Sequence, residues 1–311
     1  MSTIQSGEPR LPADLEREIL TTAASVLPIR HIPNIILVAR RVQIWVTPML
    51  YRSFVVCNSP PSEDSLTLRR TPNEFRRMIS LSPTAAAADI HSLCIPDWLH
   101  SGQIGDFLNA CSGIETLAIF GISVVVPTLL PALAKMPLRR LSLELLPLFG
   151  AVPGLDFTVD FRHQIFSRLT HLTIQDIPEE NPDPGMWAGL VELPFLTHLA
   201  FTNWHLPPIF NTILAQCQAL QVFVLKCSAV HIAHTEGLGY FAHDPRAVVL
   251  VVKKFQEDWE AGVDGGQDFW KRAEKFLEKR RTGEIDGLSS FITVSAAHTH
   301  LNDLEYRYIA L

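Results

Sequence analysis

From Ile90 to Val252 the chain repeats one short pattern: a large apolar residue, two variable positions, a second apolar residue, one variable position and a third apolar residue. The instances are Ile90-x-x-Leu93-x-Ile95, Ile114-x-x-Leu117-x-Ile119, Leu138-x-x-Leu141-x-Leu143, Leu169-x-x-Leu172-x-Ile174, Leu196-x-x-Leu199-x-Phe201, Leu220-x-x-Phe223-x-Leu225 and Ala247-x-x-Leu250-x-Val252. Their central residues lie 24, 24, 31, 27, 24 and 27 positions apart. Side chains alternate across a strand, so the closing apolar-x-apolar places two residues on one face of a short strand. A period in the twenties predicts a solenoid of stacked strand, turn, helix, turn units. Helical stretches precede several strands, with Ile104, Phe107 and Leu108 before Ile114, Leu129 and Leu133 before Leu138, and Ile213 and Leu214 before Leu220. The long interval holds Pro147 to Asp160, an expected looped-out insertion, and Asn181 to Gly185 reads as a turn.

The flanks read differently. Residues 1–10 are an expected flexible leader, and Leu11 to Leu20 start a helix with Pro12 in its first turn and an apolar stripe of Leu15, Ile19 and Leu20. Residues 34–46 read as a second helix and Ser53 to Val56 as strand-like, so 11–56 form an N-terminal three-helix domain. Pro60-Pro61-Ser62-Glu63-Asp64-Ser65 marks a linker over 57–72, the solenoid occupies 73–253, and 254–311 form a C-terminal cap. In the cap, Phe269, Trp270, Ala273, Phe276 and Leu277 share one helical face, as a terminal repeat with no outer neighbour requires. The expected fold class is α/β, with about seven parallel strands.

Composition narrows the function. The chain is 47% hydrophobic and 19% charged, enough to bury a substantial core, and its net charge of −6 gives no general attraction to nucleic acid or anionic membrane. Five cysteines without a C-x-x-C pair point to a reducing compartment, cytoplasmic or nuclear, with Cys111 and Cys217 as small buried residues at turns into strands. Met1 to Arg10 carry no apolar run of a secretory signal. Leu117 to Ala134 are uncharged over 18 positions, but Gly121, Pro127, Pro131 and the repeat register favour a strand and buried helix over a membrane span. The G-x-S-x-G, H-E-x-x-H and phosphate-loop patterns do not occur. Cys227-x3-His231-x2-His234 matches no familiar zinc spacing, and the Lys271 to Arg281 run reads as the wet face of a capping helix. No enzyme, metal or cofactor is expected.

The variable positions within the strands should face away from the helices and build columns on an inner sheet surface. One column reads Ser92, Thr116, Arg140, His171, His198, Val222, Val249; the next Cys94, Ala118, Ser142, Thr173, Ala200, Val224, Val251; the third Pro96, Phe120, Glu144, Gln175, Thr202, Lys226, Lys253. The polar middle, Arg140, Glu144, His171, Thr173, Gln175, His198 and Thr202, is the expected target-binding surface. His171 and His198 come from identical Leu-Thr-His-Leu tetrapeptides and should stand one strand apart, ~4.8 Å. A metal site or pH switch there lacks an evident third ligand, so they read as solvated polar residues.

Residues 11–56 resemble an F-box, through Leu11-Pro12 opening a helix with Leu15, Ile19 and Leu20, then Leu37-Val38-Ala39-Arg40-Arg41-Val42, Trp45, Pro48 and Leu50-Tyr51-Arg52. With the repeats, and with Asp244-Pro245-Arg246, Trp259 and Asp268-Phe269-Trp270-x-x-Ala273-Glu274 near the end, the chain is similar to the F-box and leucine-rich-repeat proteins abundant in mushroom-forming fungi. It departs from them in the long link from Thr21 to Pro33 and in Ala39, where many members carry cysteine. The resemblance implies a substrate receptor of an SCF-type, cullin-based ubiquitin ligase: Leu11, Pro12, Leu15, Ile19, Val38 and Trp45 would dock on the linker subunit, and the repeats would hold a target protein. Two other readings stand beside it. The chain could be a stand-alone leucine-rich-repeat interaction module whose N-terminal helices only cap the solenoid. An enzyme without recognisable motifs would need a deep polar pocket.

Overall fold

The computed structural model describes residues 11–58, 67–96, 98–121, 126–150, 158–175, 184–202, 209–227, 244–252, 254–263, 265–285, 289–294 and 306–310. The N-terminal element consists of α1 (Ala13–Val26), α2 (Ile32–Ile36) and α3 (Arg40–Leu50). Asp14 and Glu16 lie in the first turn of α1, where the helix dipole favours negative charge. The single helix expected over 34–46 is divided, because Ala39 is extended at φ −161° and ψ 153°. In one straight helix Ile36 and Val46 would stand about 15 Å apart. The turn lets Val42 and Val46 of α3 close on Ala24 and Ile32, with Ile36 packed beside them.

Beyond α3 come β1 (Ser53–Val56), β2 (Leu68–Arg70), α4 (Pro72–Leu81), α5 (Pro83–Asp89), β3 (Ser92–Ile95), α6 (Ser101–Ala110) and β4 (Thr116–Ile119). The middle holds α7 (Leu130–Leu133), β5 (Arg140–Leu143), α8 (Leu145–Phe149), β6 (His171–Ile174) and β7 (His198–Thr202). The chain continues through α9 (Ile209–Gln216), β8 (Val222–Cys227), β9 (Ala247–Val251), α10 (Phe255–Val263), α11 (Phe269–Arg281), β10 (Ser289–Val294) and β11 (Tyr306–Ala310). The eleven strands form one sheet in the order β11-β10-β9-β8-β7-β6-β5-β4-β3-β1-β2. Every pairing is parallel except that of β10 with β11. All seven expected repeat strands are present, as β3 to β9. The sheet also takes in β1 from the N-terminal domain and β2 from the expected linker, so the boundary drawn at 57–72 does not separate two bodies. The chain steps out to the edge strand β2 and returns over β1 through α4 and α5, with Thr71 and Glu74 forming a reciprocal cap at the start of α4.

Register aligns Leu93, Leu117, Leu141, Leu172, Leu199 and Phe223 across neighbouring strands, as the repeat predicts. The seventh unit differs: Phe223 pairs with Ala247, and Leu250 with Lys226. An odd shift of three residues turns each side chain to the other face. Ala247, Val249 and Val251 therefore join the main core, while Val248, Leu250 and Val252 face the opposite way. Residues 247–252 are apolar at every position, so alternation could not set their phase.

The main core lies between one sheet face and helices α4 to α9, and contains an edge-on series of Phe54, Phe75 and Phe107. Leu148, Val159 and Phe161 are buried in it, so both ends of the expected Pro147–Asp160 insertion pack inside and are not looped out; residues 151–157 lie outside the described set. Asn181 to Asp183 also lie outside it. The uncharged 117–134 segment holds β4 and α7, and among the described residues no helix is long and apolar enough to cross a membrane.

The second face is covered too, which overturns the expected terminal cap. Phe269, Trp270, Ala273, Phe276 and Leu277 of α11 pack on Ala200, Val222, Val224, Val248, Leu250 and Val252. Trp259 of α10 packs on Val55, Cys57, Cys94 and Ala118 at the other end of the same face. The end of the repeat array is instead extended by β10, which pairs with β9. Parallel sheets are normally buried on both faces, and the chain supplies its own second layer. Phe276 is 2% exposed, so Phe276→Ala is expected to lower unfolding free energy in urea by about 3–5 kcal/mol; a loss below about 1 kcal/mol would show that α11 does not rest on the sheet.

Candidate functional site

Two regions carry the residues singled out from sequence. On the N-terminal element, Leu15 and Ile19 stand four positions apart on one side of α1, Leu11 lies just before the helix, and all three are exposed, Ile19 at 54%. Leu20 and Ala24 take the inward side, toward Val42 and Val46. Pro12 is exposed at the helix start, and Val38 is exposed in the turn before α3, flanked by exposed Leu37 and Ile44. Trp45 is the exception, half-buried against the small core of Ala24, Ile32, Val42 and Val46. Arg41 fixes α3 to α1 through two hydrogen bonds to Glu16, at 2.7 and 2.8 Å. Ile29 and Leu50 touch both this small core and the main core, joining the helices to the sheet without covering the Leu11–Ile19 stripe.

The second region is the inner sheet face. The expected open target surface is covered by α10 and α11, so Thr173 and His198 are buried, while Arg140, Glu144, His171, Gln175 and Thr202 are half-buried. Arg140 lies 3.6 Å from Asp268, the cap residue of α11, whose carboxylate accepts from the Lys271 N–H. The His171 and His198 rings stack at 4.0 Å and 9°, and both meet Trp270 edge-on at 5.3 and 5.5 Å. Gln175 donates to Ser142 Oγ at 3.0 Å. Thr202 Oγ1 is buried without a hydrogen-bond partner among the described residues.

Sequence reasoning missed the charges that the cover brings with it. Lys226, on β8, is buried with its ammonium 4.4 Å from the Phe255 ring centre and 4.7 Å from that of Phe269. Burial drives its pKa down to about 7, against the opposing pull of Asp258. Burial raises the Asp258 carboxyl, although Arg272 pairs with it and the Phe269 N–H donates to it at 2.9 Å. Arg69, at the β2 edge, makes two bonds to Glu260 of α10, at 3.1 and 2.8 Å. Alternation placed Lys226 on this face, but nothing local to it signals the two helices that bury it. The Lys271–Arg281 run is only partly wet, since Arg272 is buried and Arg280 donates to the Asp244 carbonyl at 2.9 Å.

A cavity of about 40 Å³ remains between sheet and cover, lined by Ser142, Thr173, Lys226, Trp259 and Trp270. That is room for a few water molecules. A larger groove of about 520 Å³ lies where α3 meets α4 and α5, beside Tyr51, Arg77, Met78 and Leu81. Cys111 and Cys217 are buried, and burial raises both thiols, that of Cys111 to about 12, which suits structural roles. His231 and His234 of the Cys227 cluster lie outside the described residues. The profiles of known protein families find no match in this chain, and neither does a comparison with curated proteins.

Lys226 gives a test of the cover through pH. Its folded pKa lies below the unfolded value of 10.5, so between pH 7 and 10.5 the unfolded chain holds the extra proton and stability rises with pH. Urea unfolding of the wild type and Lys226→Met should diverge from pH 7 to 9, the wild type gaining about 2 kcal/mol relative to the variant. Parallel curves would show that the amine is solvated.

Proposed function

We propose that this chain is the substrate-recognition adaptor of an SCF-type ubiquitin ligase, docking on the linker subunit through its N-terminal helices. The observation that carries the reading is the group of Leu11, Leu15 and Ile19, with Leu37, Val38 and Ile44, left exposed on an element whose packed core holds only Ala24, Ile32, Val42 and Val46 and the residues against them. Grouped apolar side chains on a helical surface mark a binding face, and such a face fits a partner offering an apolar groove. Pro12 and the edge of Trp45 extend it. The resemblance of residues 11–56 to an F-box supplies the identity of the partner. In this role the chain performs no chemistry and holds a target near the ligase. The inner sheet face is filled by α10 and α11, so the target is held by surfaces outside it.

A second reading, a stand-alone leucine-rich-repeat interaction module, draws support from a different observation. The helices run straight into β1 of the sheet and share Ile29 and Leu50 with its core, as an N-terminal cap would. Calorimetric titration of the full chain with the isolated linker subunit separates the two. Specific binding is expected, and Leu15→Asp with Ile19→Asp should weaken it at least 100-fold while the far-ultraviolet circular dichroism stays unchanged. No binding by the wild type would favour the stand-alone module.

A further inference from the structure

We propose that His171, His198 and Glu274 form a binding site for a divalent transition-metal ion of the zinc class, which pins α11 to the middle of the sheet. The repeat itself builds two thirds of the site. Thr170-His171 and Thr197-His198 occupy equivalent positions on neighbouring strands, with His171 and His198 in register. The third ligand arrives from α11, 76 residues after His198, with Glu274 Oε1 3.0 Å from His198 Nε2. One donor atom from each of the three residues lies within 4.8 Å of the other two.

Proton placement is compatible with a cation there. Thr170 Oγ1 donates to the Arg139 carbonyl at 3.1 Å and lies 2.9 Å from His171 Nδ1. Thr197 Oγ1 donates to the Thr170 carbonyl at 3.2 Å and lies 2.8 Å from His198 Nδ1. A hydroxyl has one proton, so while each threonine donates to its carbonyl, its oxygen can accept from an Nδ1–H. Both Nε2 atoms then present lone pairs. An Nδ1–H held by a neighbouring oxygen is also the arrangement that orients metal-binding histidines.

With this tautomer, the His198 Nε2 lone pair faces a carboxylate oxygen at 3.0 Å, a repulsive contact unless a proton or a metal ion lies between. A metal ion would take both imidazoles in their neutral form. Two nitrogens and one carboxylate suit zinc-class ions and leave a fourth position open. Ligand bonds of about 2.1 Å require the donors to draw in by roughly an ångström. Rotation of the half-exposed Glu274 side chain and tilting of the stacked rings would bring this about.

The test uses the full chain, free of affinity tag and stripped of metal by chelator, titrated with Zn²⁺ in a calorimeter and with Co²⁺ in a visible spectrometer. One equivalent should bind, with the strong visible absorption of four-coordinate Co²⁺ and a rise of several degrees in melting temperature. Glu274→Gln, at a half-exposed position that leaves the fold intact by circular dichroism, and His198→Gln should each weaken binding at least tenfold. Absence of stoichiometric binding by the wild type would overturn the proposal. So would equal affinity in both variants, which would place the ion elsewhere.

Discussion

Burial of the sheet's second face is the constraint on which the rest of this structure depends. A stack of parallel strands points side chains both ways, and toward β8 and β9 both sets are mostly apolar. Left open, Ala200, Val222, Val224, Val248, Leu250 and Val252 would form a continuous exposed patch. α11 closes it with Phe269, Trp270, Phe276 and Leu277, and α10 continues the cover toward β1 and β3 with Trp259. Between these apolar ends the face is polar, and the cover meets it with matching groups: Asp268 for Arg140, Glu274 for His198. Arg272 with Asp258 ties α11 to α10 within the cover, and Arg69 with Glu260 ties α10 to the β2 edge. Buried pairs of this kind add little net stability, yet loss of one partner costs about 3–5 kcal/mol, so they fix where the cover sits more than how strongly it binds.

The N-terminal element escapes this closure. Its three helices bury only a small core of Ala24, Ile32, Val42 and Val46, and no segment of the described chain lies over Leu15, Ile19 or Val38. The molecule thus combines a repeat sheet that satisfies its own two faces with a helical element that does not. That contrast moves the search for partners from the sheet interior to the N-terminal helices, and it gives the inner polar cluster a structural task beneath α11.

How much of this was legible depends on what each residue reports. Leucine at a fixed phase gave the strands β3 to β8 and their register, because a strand's alternation is visible wherever polar and apolar residues alternate. It failed at 247–252, where every position is apolar and either phase fits. Strand β2 is three residues long and reads Leu-Arg-Arg, with no apolar alternation to reveal it. The Phe269–Leu277 stripe announced that one side of α11 is buried, but a stripe cannot say against what. For the same reason Glu274 could not be recognised as a neighbour of His198: the contact spans 76 residues and exists only because the helix crosses the sheet.

Amide hydrogen exchange of the native chain, resolved to the peptides covering α11 and β8–β9, tests the central claim most directly. If α11 is the second wall of the core, its amides exchange only when the sheet unfolds, with the same free energy of opening as the strands beneath it. Rapid exchange of Phe269–Arg281 while β8 and β9 stay protected would contradict the account, because it would show that the inner face of the sheet is open in solution.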